Sequence, residues 1–416
     1  MKFNKQSRKI LMWSIFLIAV LSQFLPTLSN SYTNSDSPAH LANALLVTLD
    51  QSVNYPIEVF HYTFYSKFRV SGLASVSVDA HLPLPPMYLF LLYPFFKVLS
   101  PMVGLSMLYL LTALFSGLSA LIIYWWVKDE TNNHSAGLIS GFLFAIMPIG
   151  YLYFAGGDFP QIMGQFFVLL TVFCVYKFYD NILDIKVFLG LTFLIFISLL
   201  IHLGSTIGLL TILFFIFLYY IYNLIKKDIK NKTNFIKSLF ISQDGRKIIF
   251  YGLSVLIAFT ISYFSYYHSF LDLFIGASSQ STTGTFFIPQ LNQLYQLWRG
   301  YWFFILCIPT GWFLLKENKK FRSYIYLWFL VSLMYFILNI EIRFVYLIYP
   351  IVAIVSGITL NTFFDNKKYR KYIIYFLIVL FIATLIYSSN WWTHFPLYGG
   401  NGYIPKVENV IKTFRP

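Results

Sequence analysis

Charge is what this sequence has least of. Asp, Glu, Lys and Arg make up only 11% of its 416 residues, against about 25% in an ordinary soluble domain. Cysteine is almost absent. Cys174 and Cys307 both lie in apolar runs, which leaves no disulfide framework and too few thiolates for a cysteine metal site. No Walker sequence, glycine-rich phosphate loop or Ser-His-Asp order occurs, so ATP-driven chemistry has no basis in the sequence. No internal repeat is evident. What remains is 58% hydrophobic and 21% aromatic. A folded core takes in that much apolar surface only when lipid replaces water as the outer solvent. The composition excludes a soluble enzyme, a disordered chain and a nucleic-acid binder. It predicts an all-α polytopic membrane protein.

A helix needs about 20 apolar residues to cross the roughly 30 Å hydrocarbon layer. Runs of that kind occur at about 10–26, 102–126, 135–154, 160–179, 187–201, 205–225, 248–268, 297–315, 323–340, 343–362 and 372–389. About eleven transmembrane helices are therefore expected. The run 85–99 is shorter, opens with Pro85-Pro86 and contains Pro94, so it reads as an interfacial helix and not as a span. Residues 1–30 read as a retained anchor, because the apolar run is long and Thr27-Leu28-Ser29-Asn30 is a poor cleavage site.

The net charge of +14 has a topological reading. With eleven spans and a cytoplasmic N-terminus, 22 of the 30 Lys and Arg fall in inner segments and 8 outside, while the 16 acids divide evenly. The inner face then carries the whole positive excess, as the positive-inside rule requires. Counting 85–99 as a span would put the seven basic residues from Lys226 to Lys247 outside, against that rule. The expected location is the cytoplasmic membrane, with a multi-pass domain over 1–390. That domain includes a long first outer loop at 27–101 with interfacial helices, and a second outer loop at 269–296. The second loop carries the small polar stretch Gly276–Thr285 and reads as mobile. Residues 391–416 form a short outer stub.

Ionisable groups near a bilayer are costly and tend to be functional where they gather at a cavity. Here they gather at the expected outer rim: Asp36 after span one, Asp158 in Gly-Gly-Asp-Phe-Pro-Gln, His202 in the turn His-Leu-Gly-Ser, His268, and Glu341 beside Arg343. Asp36 has two readings, a base taking the proton of an acceptor hydroxyl or an N-cap for a helix starting at Pro38. Asp158 divides in the same way between binding and capping. His40, His81, His202 and His268 read as phosphate or metal contacts, or as hydrogen-bonded interfacial residues. No HxxxH or HExxH spacing occurs, so a divalent metal has little support. Glu341 and Arg343 form a local ion pair, or else Arg343 clamps a phosphate with its planar fork.

With these residues in place, the chain resembles the GT-C membrane glycosyltransferases. It is most similar to the protein O-mannosyltransferase and aminoarabinose-transferase branch. Asp36-Ser37-Pro38-Ala39-His40 is similar to the early Asp motif, and His81-Leu82-Pro83-Leu84-Pro85-Pro86-Met87-Tyr88 to the family's interfacial Pro-Pro-Leu-Tyr helix. Gly156-Gly157-Asp158-Phe159-Pro160-Gln161 resembles the turn bearing a second Asp, and Arg343-Phe344 with Pro350 the late span that meets the lipid phosphate. The resemblance covers about 1–210 by motif and the rest by topology, and departs from the family in that no C-terminal soluble domain is expected over 391–416.

The resemblance implies transfer of a sugar from a polyprenyl-phosphate carrier to a lipid, glycan or protein acceptor outside the cytoplasmic membrane. In that picture Asp36 is the catalytic base. Asp158, His202, Arg343, His40, His81, Gln161 and Glu341 contact the substrates, and the 269–296 loop closes over the site. The rival readings are a lipid-linked sugar flippase or transporter, and a polysaccharide polymerase or ligase.

Overall fold

The computed structural model describes residues 5–25, 101–147, 159–231, 233–264, 307–337 and 347–398. Among these the secondary structure is helical, without strands. In chain order the helices are α1 (Lys5–Phe24), α2 (Pro101–Thr131), α3 (His134–Ala145), α4 (Phe159–Phe178), α5 (Ile185–Leu199), α6 (Leu203–Asn231), α7 (Phe235–Ile241), α8 (Gln243–Ser262), α9 (Cys307–Leu314), α10 (Lys319–Ile337), α11 (Tyr349–Asp365) and α12 (Lys367–Tyr398). The choice of helix follows from the solvent. In hydrocarbon every backbone N–H and C=O must be satisfied within the segment, and a helix does this alone.

Among the described residues six stretches are long and apolar enough to cross a membrane: Gln6–Phe24, Ser106–Thr131, Phe159–Asn181, Gly204–Asn231, Gln243–Ser262 and Lys367–Ile386. The chain is thus an all-α, multi-pass membrane protein. α3, α5 and α11 are apolar but shorter. The stretch Phe159–Asn181 is 78% buried and Lys367–Ile386 only 11%, so the first is walled by protein and the second left for lipid. Several boundaries differ from the sequence expectation. The run expected as a span at 135–154 is the short α3, which ends at Ala145. α12 runs on to Tyr398, beyond the expected end of the last span. The basic segment 226–247 is mainly helix, formed by the end of α6, by α7 and by the start of α8.

The residues divide into two compact units. One comprises Met1–Phe166, Leu294–Leu314 and Val352–Pro416, the other Phe167–Gln293 and Leu315–Ile351. In the first, α2 and α3 are joined by a tight reversal in which Asn132 takes φ 51°. The side chain of Asn133 then caps α3, accepting from the N–H groups of Ser135 at 2.8 Å and Ala136 at 3.2 Å. Asparagine tolerates the left-handed region better than most residues, and its amide oxygen is a preferred cap.

Small residues set how closely these helices approach. A Cβ on Gly137 would stand 2.6 Å from the Tyr124 carbonyl oxygen, and one on Gly141 2.9 Å from that of Ala120. Gly137-x-x-x-Gly141 is therefore the face of α3 that receives the α2 backbone, a common solution where lipid offers no hydrophobic drive between helices. An adjacent face of α3 meets α11: Ser140 Oγ donates to the Ile354 carbonyl at 3.3 Å, and a Cβ on Gly357 would lie 2.6 Å from Ser140 Cα.

In the second unit a group of buried tyrosines takes this role. Tyr179 and Tyr220 stack with centroids 3.6 Å apart and planes within 6°. The hydroxyls of Tyr220 and Tyr324 share a 2.6 Å hydrogen bond, and Tyr251 donates to the Leu213 carbonyl at 2.9 Å. Beside them Asp180 accepts from Lys320 at 2.9 Å and lies 3.7 Å from Lys247. Buried hydroxyl pairs, Thr171 with Ser198 at 2.7 Å and Thr192 with Ser254 at 2.9 Å, join further helices.

The close approach at α3 predicts that Gly137→Leu costs about 1–3 kcal/mol by overpacking. A lowered thermal midpoint of the full-length protein in detergent is the expected result, and an unchanged midpoint would refute the close approach.

Candidate functional site

Two of the residues singled out in the sequence, His202 and Gln161, lie among the described residues. Asp36, His40, His81, Asp158, Glu341, Arg343 and His268 lie outside them, as do the loops 27–100 and 269–296.

His202 occupies the short reversal between α5 and α6. Leu200 closes α5 by donating its N–H to the Ile197 carbonyl at 2.9 Å. Two residues later the His202 ring turns back over the start of α6. Its Nδ1 accepts the Ser205 N–H at 3.2 Å and lies 3.2 Å from Ser205 Oγ. The His202 carbonyl accepts the Thr206 N–H at 2.9 Å. Thr206 Oγ1 in turn lies 2.6 Å from the Leu199 carbonyl and 3.0 Å from that of His202, so the turn is tied on both sides.

A Cβ on Gly204 would come within 3.0 Å of the imidazole Cε1, so glycine leaves the space the ring needs. An Nδ1 that accepts a backbone N–H is unprotonated. The proton of the neutral ring is therefore on Nε2, which points this capping histidine's donor away from the helix it caps. Structurally the ring is a helix cap. The residue as a whole is half-buried.

Gln161 lies in the first turn of α4 and is 4% exposed. The same face carries Gln165, one turn on, which is 1% exposed with both amide atoms lacking a hydrogen-bond partner. Nothing in the sequence reading drew attention to Gln165; a second glutamine four residues after the first, in a helix this apolar, was the available signal. An amide buried without a partner costs about 1–3 kcal/mol, so its presence calls for a reason beyond packing.

No known family model matches the chain, and no curated protein matches it in sequence. Among the described residues no three His, Cys, Asp or Glu side chains come together as a metal ion would require.

Elsewhere in the first unit, His134 opens α3 and shares a 3.0 Å hydrogen bond with the Tyr124 hydroxyl through Nδ1. Burial, then the Arg8 and Lys128 charges, push its pKa below the ordinary imidazole value. It is a neutral structural residue at the opposite end of α2 from Pro101.

Two outcomes follow. His202→Ala removes the cap of α6 and is expected to cost about 1 kcal/mol, whereas His202→Asn restores an acceptor and most of that loss. Thermal unfolding of the two purified variants separates cap from bystander. Gln165→Leu keeps the volume and removes the unpartnered amide, so the folded protein without substrate should gain about 1–3 kcal/mol. A lower thermal midpoint would show that the amide is already hydrogen-bonded.

Proposed function

We propose that this chain is an inverting membrane glycosyltransferase. It moves a sugar from a polyprenyl-phosphate carrier to an acceptor on the extracytoplasmic side of the cell membrane, with the N-terminus cytoplasmic and a GT-C-like arrangement of about eleven spans. The observation that carries the reading is Asp36-Ser37-Pro38-Ala39-His40, which follows soon after a first apolar helix that ends at Phe24. A carboxylate held just beyond the bilayer is where an acceptor hydroxyl meets a donor whose tail cannot leave the lipid.

The chemistry balances with residues of this chain. The acceptor oxygen attacks the anomeric carbon and forms the new glycosidic bond. The bond from that carbon to the phosphate oxygen breaks, with inversion, and polyprenyl phosphate departs. Asp36 takes the acceptor proton. Arg343 offers a fork to the departing phosphate, and His202 is a second phosphate contact in this reading. Asp158, His40, His81 and Glu341 line the acceptor and donor sugar in this reading. The buried amides of Gln161 and Gln165 support a hydroxyl-rich ligand, since sugar hydroxyls both donate to and accept from an amide.

The test compares lipid and envelope extracts by mass spectrometry from cells lacking the protein and restored with wild type or Asp36→Asn at equal abundance. The expected outcome is that only wild type restores a sugar modification, while the polyprenyl-phosphate sugar accumulates with the Asn variant. Full restoration by Asp36→Asn would reduce Asp36 to a helix cap. It would also move a lipid-linked sugar flippase, or a polysaccharide polymerase or ligase, ahead.

A further inference from the structure

Helix α7 is held firmly and buries nothing. Seven residues form no stable helix in isolation, so its neighbours must hold it. Asn234 caps it, accepting from the N–H groups of Ile236 at 2.9 Å and Lys237 at 3.3 Å. From the end of α6, Asp228 accepts from Thr233 Oγ1 at 2.6 Å and from Ser238 Oγ at 2.7 Å. Ser242 ends α7 and caps α8 through the Gly245 N–H at 3.0 Å. Gly245 permits the reversal, because a Cβ there would stand 2.5 Å from Leu239 Cα. With all of this anchoring, no residue of α7 is buried. Ile236, Phe240 and Ile241 are each about two-thirds exposed, and Ile229, at the end of α6, is 74% exposed.

The charge around this apolar surface is one-sided. Seven basic residues lie between Lys226 and Lys247, with Asp228 and Asp244 as the acids among them. Asp228 is 5% exposed and occupied by the two hydroxyls. Asp244 is taken by Lys227 at 2.6 Å, and Lys247 lies by Asp180. Lys226, Lys230, Lys237 and Arg246 are exposed and make no ion pair among the described residues. Lys226 and Lys230 stand one turn apart, on one face of α6, and Ile229 projects beside them.

We propose that α7 with this basic border is a docking surface for the anionic phospholipid headgroups of the membrane that the chain spans. Ile229, Ile236, Phe240 and Ile241 enter the upper acyl layer, and Lys226, Lys230, Lys237 and Arg246 hold headgroup phosphates. The occupant follows from the charge complementarity and from continuity. α6 is itself an apolar stretch of membrane-crossing length, Gly204–Asn231, and α7 starts just after it, at the level where such a helix leaves hydrocarbon. Short apolar surfaces edged with Lys and Arg lie in the interface plane, and each cation near an anionic surface adds to the attraction.

The test uses the full chain in nanodiscs of phosphatidylcholine, with and without phosphatidylglycerol. An environment-sensitive dye is placed at F240C in a C174A/C307A background. The dye should emit as in an apolar setting and be quenched by lipids carrying a quencher near the headgroup. Native mass spectrometry after detergent extraction should find retained phosphatidylglycerol. That retention should fall roughly tenfold or more in K226Q/K230Q/K237Q/R246Q, and also on wild type as salt is raised; the salt series does not depend on the variant folding. A water-exposed dye in both nanodiscs, or retention that ignores both salt and the four substitutions, would overturn the proposal. So would protection of the dye that needs two copies per disc, or that needs added soluble protein, since a second chain would then be the occupant.

Discussion

Helices that cross hydrocarbon gain nothing from hiding apolar side chains against one another, because lipid is as apolar as leucine. Every other contact in this protein depends on that constraint. Association must come from close backbone approach and from polar groups that find each other. The first unit uses the former: Gly137, Gly141 and Gly357 are placed where a methyl group would collide with Tyr124, Ala120 or Ser140. The second unit uses the latter, with tyrosine hydroxyls, threonine–serine pairs and an Asp180 carboxylate shared between two lysines. The same chemistry of closeness and pairing marks the groups that do not conform. Gln165 is enclosed with its amide unsatisfied, and α7 shows apolar side chains outward although it is well anchored.

The longest spans were legible because hydropathy is a one-dimensional signal. The run expected at 102–126 is α2 at Pro101–Thr131, and the one at 160–179 is α4 at Phe159–Phe178. The turn at His202 was also visible, since His-Leu-Gly-Ser interrupts an apolar stretch, though its capping geometry was not. The basic segment 226–247 read as a connection. Seven residues are too few to show a period, and the two short apolar runs, Phe235-Ile236 and Leu239-Phe240-Ile241, are far too brief for a span. The tyrosine group was illegible for a different reason. Tyr179, Tyr220, Tyr251 and Tyr324 come from four separate helical segments, and only folding brings them together. Gly137-x-x-x-Gly141 was readable in principle; it was simply overshadowed by the louder apolar pattern around it.

The candidate site divides in the same way. His202 and Gln161 were named from sequence and are placed by the structure, one as a cap and the other as a buried amide. Gln165 was absent from the reading, because the spacing of two glutamines in an apolar helix puts them on one face and gives no hint of whether their amides are satisfied. The acids and the arginine that would perform the transfer lie in segments whose polar patterning is informative about chemistry and silent about geometry.

The pairing of Asp180 with Lys320 also has a meaning in time. The two residues are 140 positions apart, so a chain emerging from the ribosome presents the acid long before its nearest cation exists. Tyr220 likewise waits for Tyr324, which comes 104 residues later. Until α10 has been made, the polar seam of this unit is incomplete, and Lys247 is the cation beside Asp180. Closure arrives only with α10. The seam of the second unit is therefore one that its earlier helices leave open and that a late helix, α10, completes.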